Sequence, residues 1–120
     1  MSIESTILLS NISDDNNNVV PSDFSYSAKG KGAGYHKNGD GIHTVVYDLN
    51  EFKGTIKIQA TLALYPTPTD WVDVVGTEIG GDSTAISGSA TTYTFTGKFI
   101  WIRAAYKLEQ GTINEIRYNY

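Results

Sequence analysis

The sequence contains no cysteine, so neither disulfide bonds nor thiolate-bound metal can hold its fold together. It has three prolines, one methionine and two histidines. No apolar run approaches the roughly 18 residues that a membrane-spanning helix requires. The amino-terminal region has no basic stretch, and Ile7-Leu8-Leu9 is too short for the apolar part of a signal peptide. We therefore expect a soluble protein that is not exported through a classical signal and has no membrane partner.

Recognised catalytic motifs are also absent from the sequence. With no cysteine, two histidines and no Gly-x-Ser-x-Gly element, the chain lacks the known patterns of nucleophilic triads. The glycine-rich run at 29–34 does not continue into the Gly-Lys-Ser/Thr of a phosphate-binding loop. A net charge of -4 disfavours nucleic-acid binding, because such binding requires basic surface that releases counterions. We predict a protein that is not an enzyme and binds no nucleic acid.

What the sequence does contain is a series of strand-forming runs separated by Gly, Pro, Asn or Asp. The clearest alternation lies at 55–64, where charge is confined to one side and the other side is apolar: Ile56, Ile58, Ala60, Leu62 and Leu64. Period two of this kind is typical of a half-buried antiparallel strand. Further strands are predicted at 2–10, 24–27, 43–49, 71–75, 91–96, 98–106 and 111–120. Seven to eight short strands predict an all-β fold, a single antiparallel β-sandwich of jelly-roll-like topology.

The length of 120 residues is that of one ordinary domain. Residues 1–23 contain four acidic and no basic side chains, and the polar run at 11–18 is typical of a turn or link. We predict an amino-terminal strand or arm with a polar link over 1–23 and the β-sandwich domain over 24–120. The last predicted strand reaches the end of the sequence, so we expect the domain to be complete there.

Two groups of side chains have the composition of a metal site without the spacing of a known one. His36 and His43 flank a predicted turn at Asn38-Gly39, but their spacing implies no third ligand. Four carboxylates in predicted loops can bind Ca²⁺ through oxygen, although they match no EF-hand. They are Asp70, Asp73, Glu78 and Asp82. A solvated acidic rim is the commoner arrangement, and we expect no metal or other cofactor.

The alternation at 98–106 separates two faces of a strand. One face is uncharged and consists of Ile100, Ile102 and Ala104. The other face carries large aromatic side chains beside an arginine, a combination that marks protein contacts when it is exposed. We predict an interface that also includes the apolar run near the amino terminus: Phe99, Trp101, Arg103, Ile7, Leu8 and Leu9. The alternative is that another segment of the same chain covers the aromatic face.

Several stretches of this sequence, in order, resemble a known family. They are residues 35–45, 52–62, 66–71, 97–104 and 111–113. Together they resemble a small β-domain that recurs in virion structural proteins of tailed bacteriophages, and the similarity covers 30–120. The resemblance implies a non-enzymatic component of the virion, made in the host cytoplasm: a capsid decoration protein or a part of the neck, tail or fibres. It further implies contacts with other virion proteins, through self-association or attachment to a repeated lattice.

A carbohydrate-binding β-sandwich module for attachment to the host surface is the alternative function. In that case the aromatic rings of Tyr35, Trp71 and Tyr93 would stack on sugar rings. The loop carboxylates would then hold calcium or sugar hydroxyls. The two functions can overlap, because a virion protein can also bind a glycan.

Overall fold

The computed structural model describes residues 5–13, 23–35, 41–80 and 86–119, which form an antiparallel all-β fold. Its strands are β1 (Ser5–Ser13), β2 (Ser25–Tyr26), β3 (Gly30–Lys31), β4 (Ile42–Thr61), β5 (Val72–Asp73), β6 (Ile79–Gly80), β7 (Ile86–Thr96) and β8 (Trp101–Asn119). A 3₁₀ turn lies at Pro68–Asp70. These ranges contain no helical segment with the length and hydrophobicity of a transmembrane helix. The predicted all-β antiparallel fold is confirmed.

The two longest strands, β4 and β8, pair with each other along the centre of the sheet. β4 has 20 residues and β8 has 19. A straight strand of that length would measure roughly 65 Å, at about 3.3 Å per residue. The longest dimension of the molecule is only 44 Å, so both strands must bend. Each of these strands merges two of the shorter strands that the sequence pattern predicts.

The bend lies where the register between β4 and β8 shifts, from Asp48 to Gly54 of β4. Before the bend the buried positions of β4 are odd-numbered as far as Leu49, and after it they are even-numbered from Phe52 to Ala60. One extra residue in a strand changes the face of every side chain that follows. Glu51 adopts a left-handed φ of 51° within this bulge. The bulge therefore keeps apolar side chains on the inner face through the bend.

The bend divides the sheet into two halves. In the first half, β1 pairs with β8 and β7 pairs with β4. In the second half, β2 and β3 pair with β8, while β5 and β6 pair with β4. Two tyrosines join the halves: Tyr47 donates to the carbonyl of Thr77 at 2.9 Å, and Tyr118 donates to the carbonyl of Lys31. The two halves therefore face each other in a β-sandwich-like arrangement.

The hydrophobic core lies between these halves. Its largest fully buried apolar side chains come from β4 and β8: Tyr47, Leu49, Phe52, Ile56, Ile58, Ile102, Ile113, Ile116 and Tyr118. Burial raises the pKa of the Tyr47 hydroxyl far above its ordinary value, so this group remains a hydrogen-bond donor. β1 contributes Leu8, which is 7% exposed, and pairs with β8 of the same chain. The amino-terminal strand is therefore part of the common sheet, whereas the domain boundary at 23 stays a prediction.

The apolar face predicted for 55–64 is longer than the buried face that the structure shows. Its first three positions are fully buried, as predicted: Ile56, Ile58 and Ala60. Leu62 and Leu64, however, are 70% and 49% exposed. β4 ends at Thr61, whose hydroxyl accepts a hydrogen bond from the amide of Ala63, so the alternation stops there. The prediction that these two leucines share the core face is wrong.

Candidate functional site

Aromatic and basic side chains cover the outer surface of the second half of the sheet. In β8, Ile102 and Ala104 are fully buried, so Trp101 and Arg103 point to the outer side. This confirms the predicted division of faces for these four residues. We call the surface around them the cation–aromatic face. Its members contact one another as ring pairs or as cations over rings: Phe24, Tyr26, Lys29, Lys31, Tyr35, Lys57, Trp71, Trp101, Arg103 and Lys107.

Arg103 occupies the centre of this face, between two aromatic rings. Its guanidinium carbon lies 3.8 Å from the ring centroid of Tyr26 and 4.3 Å from that of Trp71. Its Nε donates to Oε1 of Gln59 on β4 at 2.9 Å. Desolvation lowers the pKa of the guanidinium, but arginine keeps its charge at ordinary pH. The contacts with two rings and the hydrogen bond to Gln59 together restrict the orientation of this cation.

Trp101 is the centre of a second cluster on the same face. The Nζ of Lys29 lies 4.8 Å from the Trp101 ring, and the ring of Tyr35 packs 5.1 Å away, tilted by 54°. The Nζ of Lys31 lies in turn 4.6 Å from the Tyr35 ring. The indole Nε1 of Trp101 donates to the carbonyl of Leu64 at 2.8 Å. Loops of the same chain therefore cover part of Trp101, in line with the alternative prediction that another segment of the chain covers the aromatic face.

A third cluster lies around Phe24. The ammonium groups of Lys57 and Lys107 lie 4.3 and 4.7 Å from its ring centroid. Lys57 also forms an ion pair with Asp73 at 2.9 Å, and Asp73 accepts a hydrogen bond from the amide of Gln59 at 2.9 Å. The hydrogen bonds from Gln59 and Lys57 hold the pKa of the Asp73 carboxyl below its ordinary value. The side-chain amide of Gln59 thereby connects this ion pair to Arg103.

We expect the Asp73 carboxylate to make a small, pH-dependent contribution to stability. Because its pKa is lower in the folded state, the contribution is complete above the ordinary carboxyl pKa and is lost as the pH falls below about 4. The side chain is 57% exposed, so Asp73→Asn should cost at most about 0.5 kcal/mol at neutral pH. Urea unfolding at pH 7 and pH 3 measures the difference between the two proteins. A cost that persisted at pH 3 would contradict this electrostatic origin.

The face is basic although the chain as a whole is acidic. Five of the nine lysine and arginine residues lie on it, whereas the net charge of the chain is -4. The face is also accessible, since Tyr26 is 50% and Tyr35 is 39% exposed. A surface of this composition can bind a partner that offers acidic and apolar groups.

An exposed apolar segment, which we call the apolar rim, adjoins the face at 62–75. Among the described residues, five of the nine exposed large hydrophobic side chains belong to it: Leu62, Leu64, Tyr65, Val72 and Val75. Tyr65 and Val75 are 86% and 96% exposed. A shallow pocket of ≈ 360 Å³ opens at the rim and is lined by Thr61, Leu62, Ala63, Asp70, Val72 and Phe99. Concentrated apolar exposure of this kind marks contact surfaces.

Carboxylates of this region are engaged within the chain. Asp70 accepts hydrogen bonds from the amide and hydroxyl of Thr67, at 2.7 and 3.0 Å, and thereby shapes the 3₁₀ turn. Within the described ranges, no group of three or more His, Cys, Asp or Glu side chains is placed to hold a metal ion. Of the metal-site candidates, His36 and Asp82 lie outside the described residues. His43 is fully buried and accepts a hydrogen bond from the amide of Ala33 at 3.0 Å.

Phe99 does not share the outer face with Trp101 and Arg103. Its ring packs against the core, with centroids 6.0 Å from His43 and 6.3 Å from Phe95. β8 begins only at Trp101, so the alternation of that strand does not extend to Phe99. The prediction that placed Phe99 on the outer face is wrong, although it does line the pocket at the rim.

The remaining predicted interface residues belong to β1, on the first half of the sheet. Leu8 is buried in the core and Leu9 packs partly against it, whereas Ile7 is 49% exposed. All three lie in β1, where Ile7 and Leu9 pair with β8 and Leu8 falls at the register shift between them, and none is part of the cation–aromatic face. Their contact with another subunit stays a prediction.

Two of the three predicted sugar-stacking rings, Tyr35 and Trp71, lie on the cation–aromatic face. Tyr93 lies on β7 in the first half, where its partly buried ring is 5.8 Å from that of Tyr47. The structure therefore does not assemble the three rings into one platform. The sequence pattern also missed six members of the face: Phe24, Tyr26, Lys29, Lys31, Lys57 and Lys107. Five of these approach from segments distant from β8, and Lys107 lies on β8 itself. For Lys57, the sequence contains one indication of its place on an outer face, namely its position on the charged side of the alternation at 55–64.

Comparison with known proteins assigns no family to this chain. A scan against family models finds no match, and searches of curated proteins and of solved structures find none either. The resemblance to virion structural proteins of tailed bacteriophages therefore depends on the sequence segments alone and stays a prediction.

Proposed function

We propose that this chain is a non-enzymatic structural module that binds another protein through its cation–aromatic face and apolar rim. The observation that carries the proposal is the combination of exposed apolar side chains and five basic residues at one end of a packed sheet. Tryptophan, tyrosine and arginine are the residue types that contribute most to binding at protein interfaces. The partner would accordingly present carboxylates around an apolar centre.

The rigidity of the face supports this proposal. Arg103 lies over the rings of Tyr26 and Trp71 and is hydrogen-bonded to Gln59, and these groups lie on strands or directly beside them. Side chains that are already ordered lose less conformational entropy when a partner binds. The apolar rim supplies the area that becomes buried, and the cations supply orientation through charge complementarity.

The setting that we propose is the virion of a tailed bacteriophage, as a capsid decoration protein or a part of the neck, tail or fibres. The support for it is the resemblance over 30–120. A particle repeats the same contact many times, so the summed avidity of modest contacts can hold such a protein in place. The acidic net charge of the chain, with its basic residues concentrated on one face, suits a component that docks in one orientation.

Incorporation into particles tests the proposal. We expect Tyr65→Ala and Lys29→Glu each to reduce the copies of this protein in gradient-purified virions by about tenfold or more, as for interface residues that carry binding energy. The control is Arg117→Glu, which makes the same charge change on the first half of the sheet, where Arg117 pairs with Glu115. It should leave incorporation within about twofold of the unmodified protein. Copy number is measured by quantitative mass spectrometry, after circular dichroism confirms that each variant is folded.

Two results would overturn the proposal. The first is that the protein is absent from purified particles. The second is that the face variants are incorporated as well as Arg117→Glu. Direct binding to host-surface glycans that Trp71→Ala abolishes would instead support the carbohydrate-binding alternative.

A further inference from the structure

The two halves of the sheet differ in how their edges are protected. In the second half the edge strands β2, β3, β5 and β6 have two residues each. In the first half the edge strands are β1 with 9 residues and β7 with 11. Short edge strands are one of the devices by which proteins avoid pairing between sheets of different molecules. The first half therefore has long edges where the second half has only short ones.

β7 carries neither charge nor proline, and its register shifts against β4 are confined to residues 86–91. Ile86–Thr96 contains no Lys, Arg, Asp, Glu or Pro, and four of its 11 residues are threonine. Charged side chains and proline are the usual means of keeping a long edge strand from recruiting another strand. Threonine, tyrosine and phenylalanine all favour extended backbone. From Thr91 to Thr96, β7 thus combines a high strand preference with an edge that has no charge, proline or bulge.

The second part of β7 has a regular backbone that could pair with another strand. From Thr91 to Thr96 it pairs with β4 in unbroken register, opposite residues 42–47. Thr92, Thr94 and Thr96 are exposed, whereas Tyr93 and Phe95 pack against the core. On its other side β7 pairs with no strand of the described part of the chain. A regular segment of this kind presents alternating N–H and C=O groups outward.

The opposite edge of the same half is interrupted. β1 has a register shift between Ile7 and Leu9, and Asn11 adopts a left-handed φ of 54°. Irregularities of this type twist an edge away from a straight partner and are themselves a protective device. Of the two long edges, β7 is therefore the one that can accept another strand over several consecutive residues.

We propose that β7 is a dimerisation edge that pairs with β7 of a second copy, antiparallel, about a twofold axis. The segment is self-complementary because it carries no charge that would face its own copy. A register centred on Thr94 places Thr92 opposite Thr96 of the second copy, and threonine pairs across strands are favourable. Within the chain, the Thr44 and Thr94 hydroxyls already lie 3.2 Å apart across the neighbouring strand pair. The dimer would join the first halves into one continuous sheet.

This proposal does not depend on the function proposed above. The cation–aromatic face lies on the second half of the sheet and does not include β7, so each copy in the dimer would keep its face. The dimer would therefore be bivalent toward the partner bound by that face, which raises avidity when two partner sites are within reach.

Sedimentation equilibrium tests the dimer, from about 1 to about 200 µM protein. We expect the mass to rise from that of the 13.1 kDa monomer toward twice that value. Thr94→Lys places two ammonium groups opposite each other at the axis, and should raise the dimer dissociation constant by about tenfold or more. Thr44→Lys is the matched control, because it adds the same charge one strand away from the edge. It should change the dissociation constant by no more than about threefold.

Cross-linking gives a second readout that does not depend on the Lys variant. The chain has no cysteine, so a single introduced thiol can form disulfides only between copies. Opposed residues at the axis of an antiparallel pair have the Cα separation that a disulfide requires. Thr94→Cys should therefore cross-link to a dimer under mild oxidation, whereas the exposed Thr69→Cys should not. A monomer at every concentration, or a dimer that neither substitution at residue 94 affects, would overturn the proposal.

Discussion

Gly54→Ala is expected to destabilise the protein by roughly 3 kcal/mol or more, because two costs coincide at this position. Gly54 lies in the bend of β4 with a φ of 141°, where an L side chain is strained. A Cβ at this position would also overlap the carbonyl oxygen of Lys107 on β8. Neither strand can move away without disturbing the hydrogen bonds between them. Urea unfolding followed by tryptophan fluorescence measures the change in the free energy of unfolding.

Gly76→Ala separates the two costs. Gly76 also has a positive φ, of 88°, but a Cβ there would meet no atom within 4 Å. Only the backbone strain remains, so we expect a loss of about 1 kcal/mol. If the two substitutions cost the same, the close approach of β4 and β8 at the bend would not be the source of the effect.

Phe52→Ala is expected to cost about 3–5 kcal/mol, as is usual when a buried phenylalanine is truncated. Phe52 is fully buried and is the first core residue after the bulge in β4. Its ring lies where the two halves of the sheet meet, so the surrounding strands cannot easily collapse into the space that it leaves. Thermal and urea unfolding at neutral pH should both show the loss.

The matched control for Phe52 is Leu62→Ala, which truncates a large apolar side chain that is 70% exposed. We expect it to change stability by no more than about 0.5 kcal/mol, because little apolar area is returned to water. A loss below about 1.5 kcal/mol for Phe52→Ala would contradict the assignment of Phe52 to the core. The Leu62 variant has a second use, since it should weaken partner binding if the apolar rim is an interface.

The strand content of this protein follows closely from local patterns, but the bend does not. Alternation identifies the buried positions at 43–49 and 55–60, because period two survives on each side of the bulge. Between Leu49 and Phe52 the buried positions change parity, and a turn between two strands would produce the same change. The bend depends on a close approach of β8 at Gly54, which involves residues far away in the sequence. A pattern read along one chain segment does not contain that information.

The same limit applies to the candidate site. Trp101 and Arg103 were predicted on the outer face because their neighbours in β8 alternate with them. Tyr26 and Trp71 contact Arg103 from segments that are distant in sequence, and no local period relates them to β8. The prediction fails for Phe99 because it extends the alternation of β8 to residues before Trp101, where the strand begins.

The continuity of β4 and β8 through both halves has a consequence for cooperativity. Neither half of the sheet has a complete set of strands of its own, since β4 and β8 form the middle of both halves. The two halves should therefore unfold together in a single transition, with no intermediate in which one half is folded and the other is not. The pairing of β4 with β8 also joins residues as distant in sequence as Thr44 and Asn119, so a large loop must close before the two strands pair. Folding should accordingly take milliseconds to seconds, as is usual for β-proteins dominated by long-range contacts.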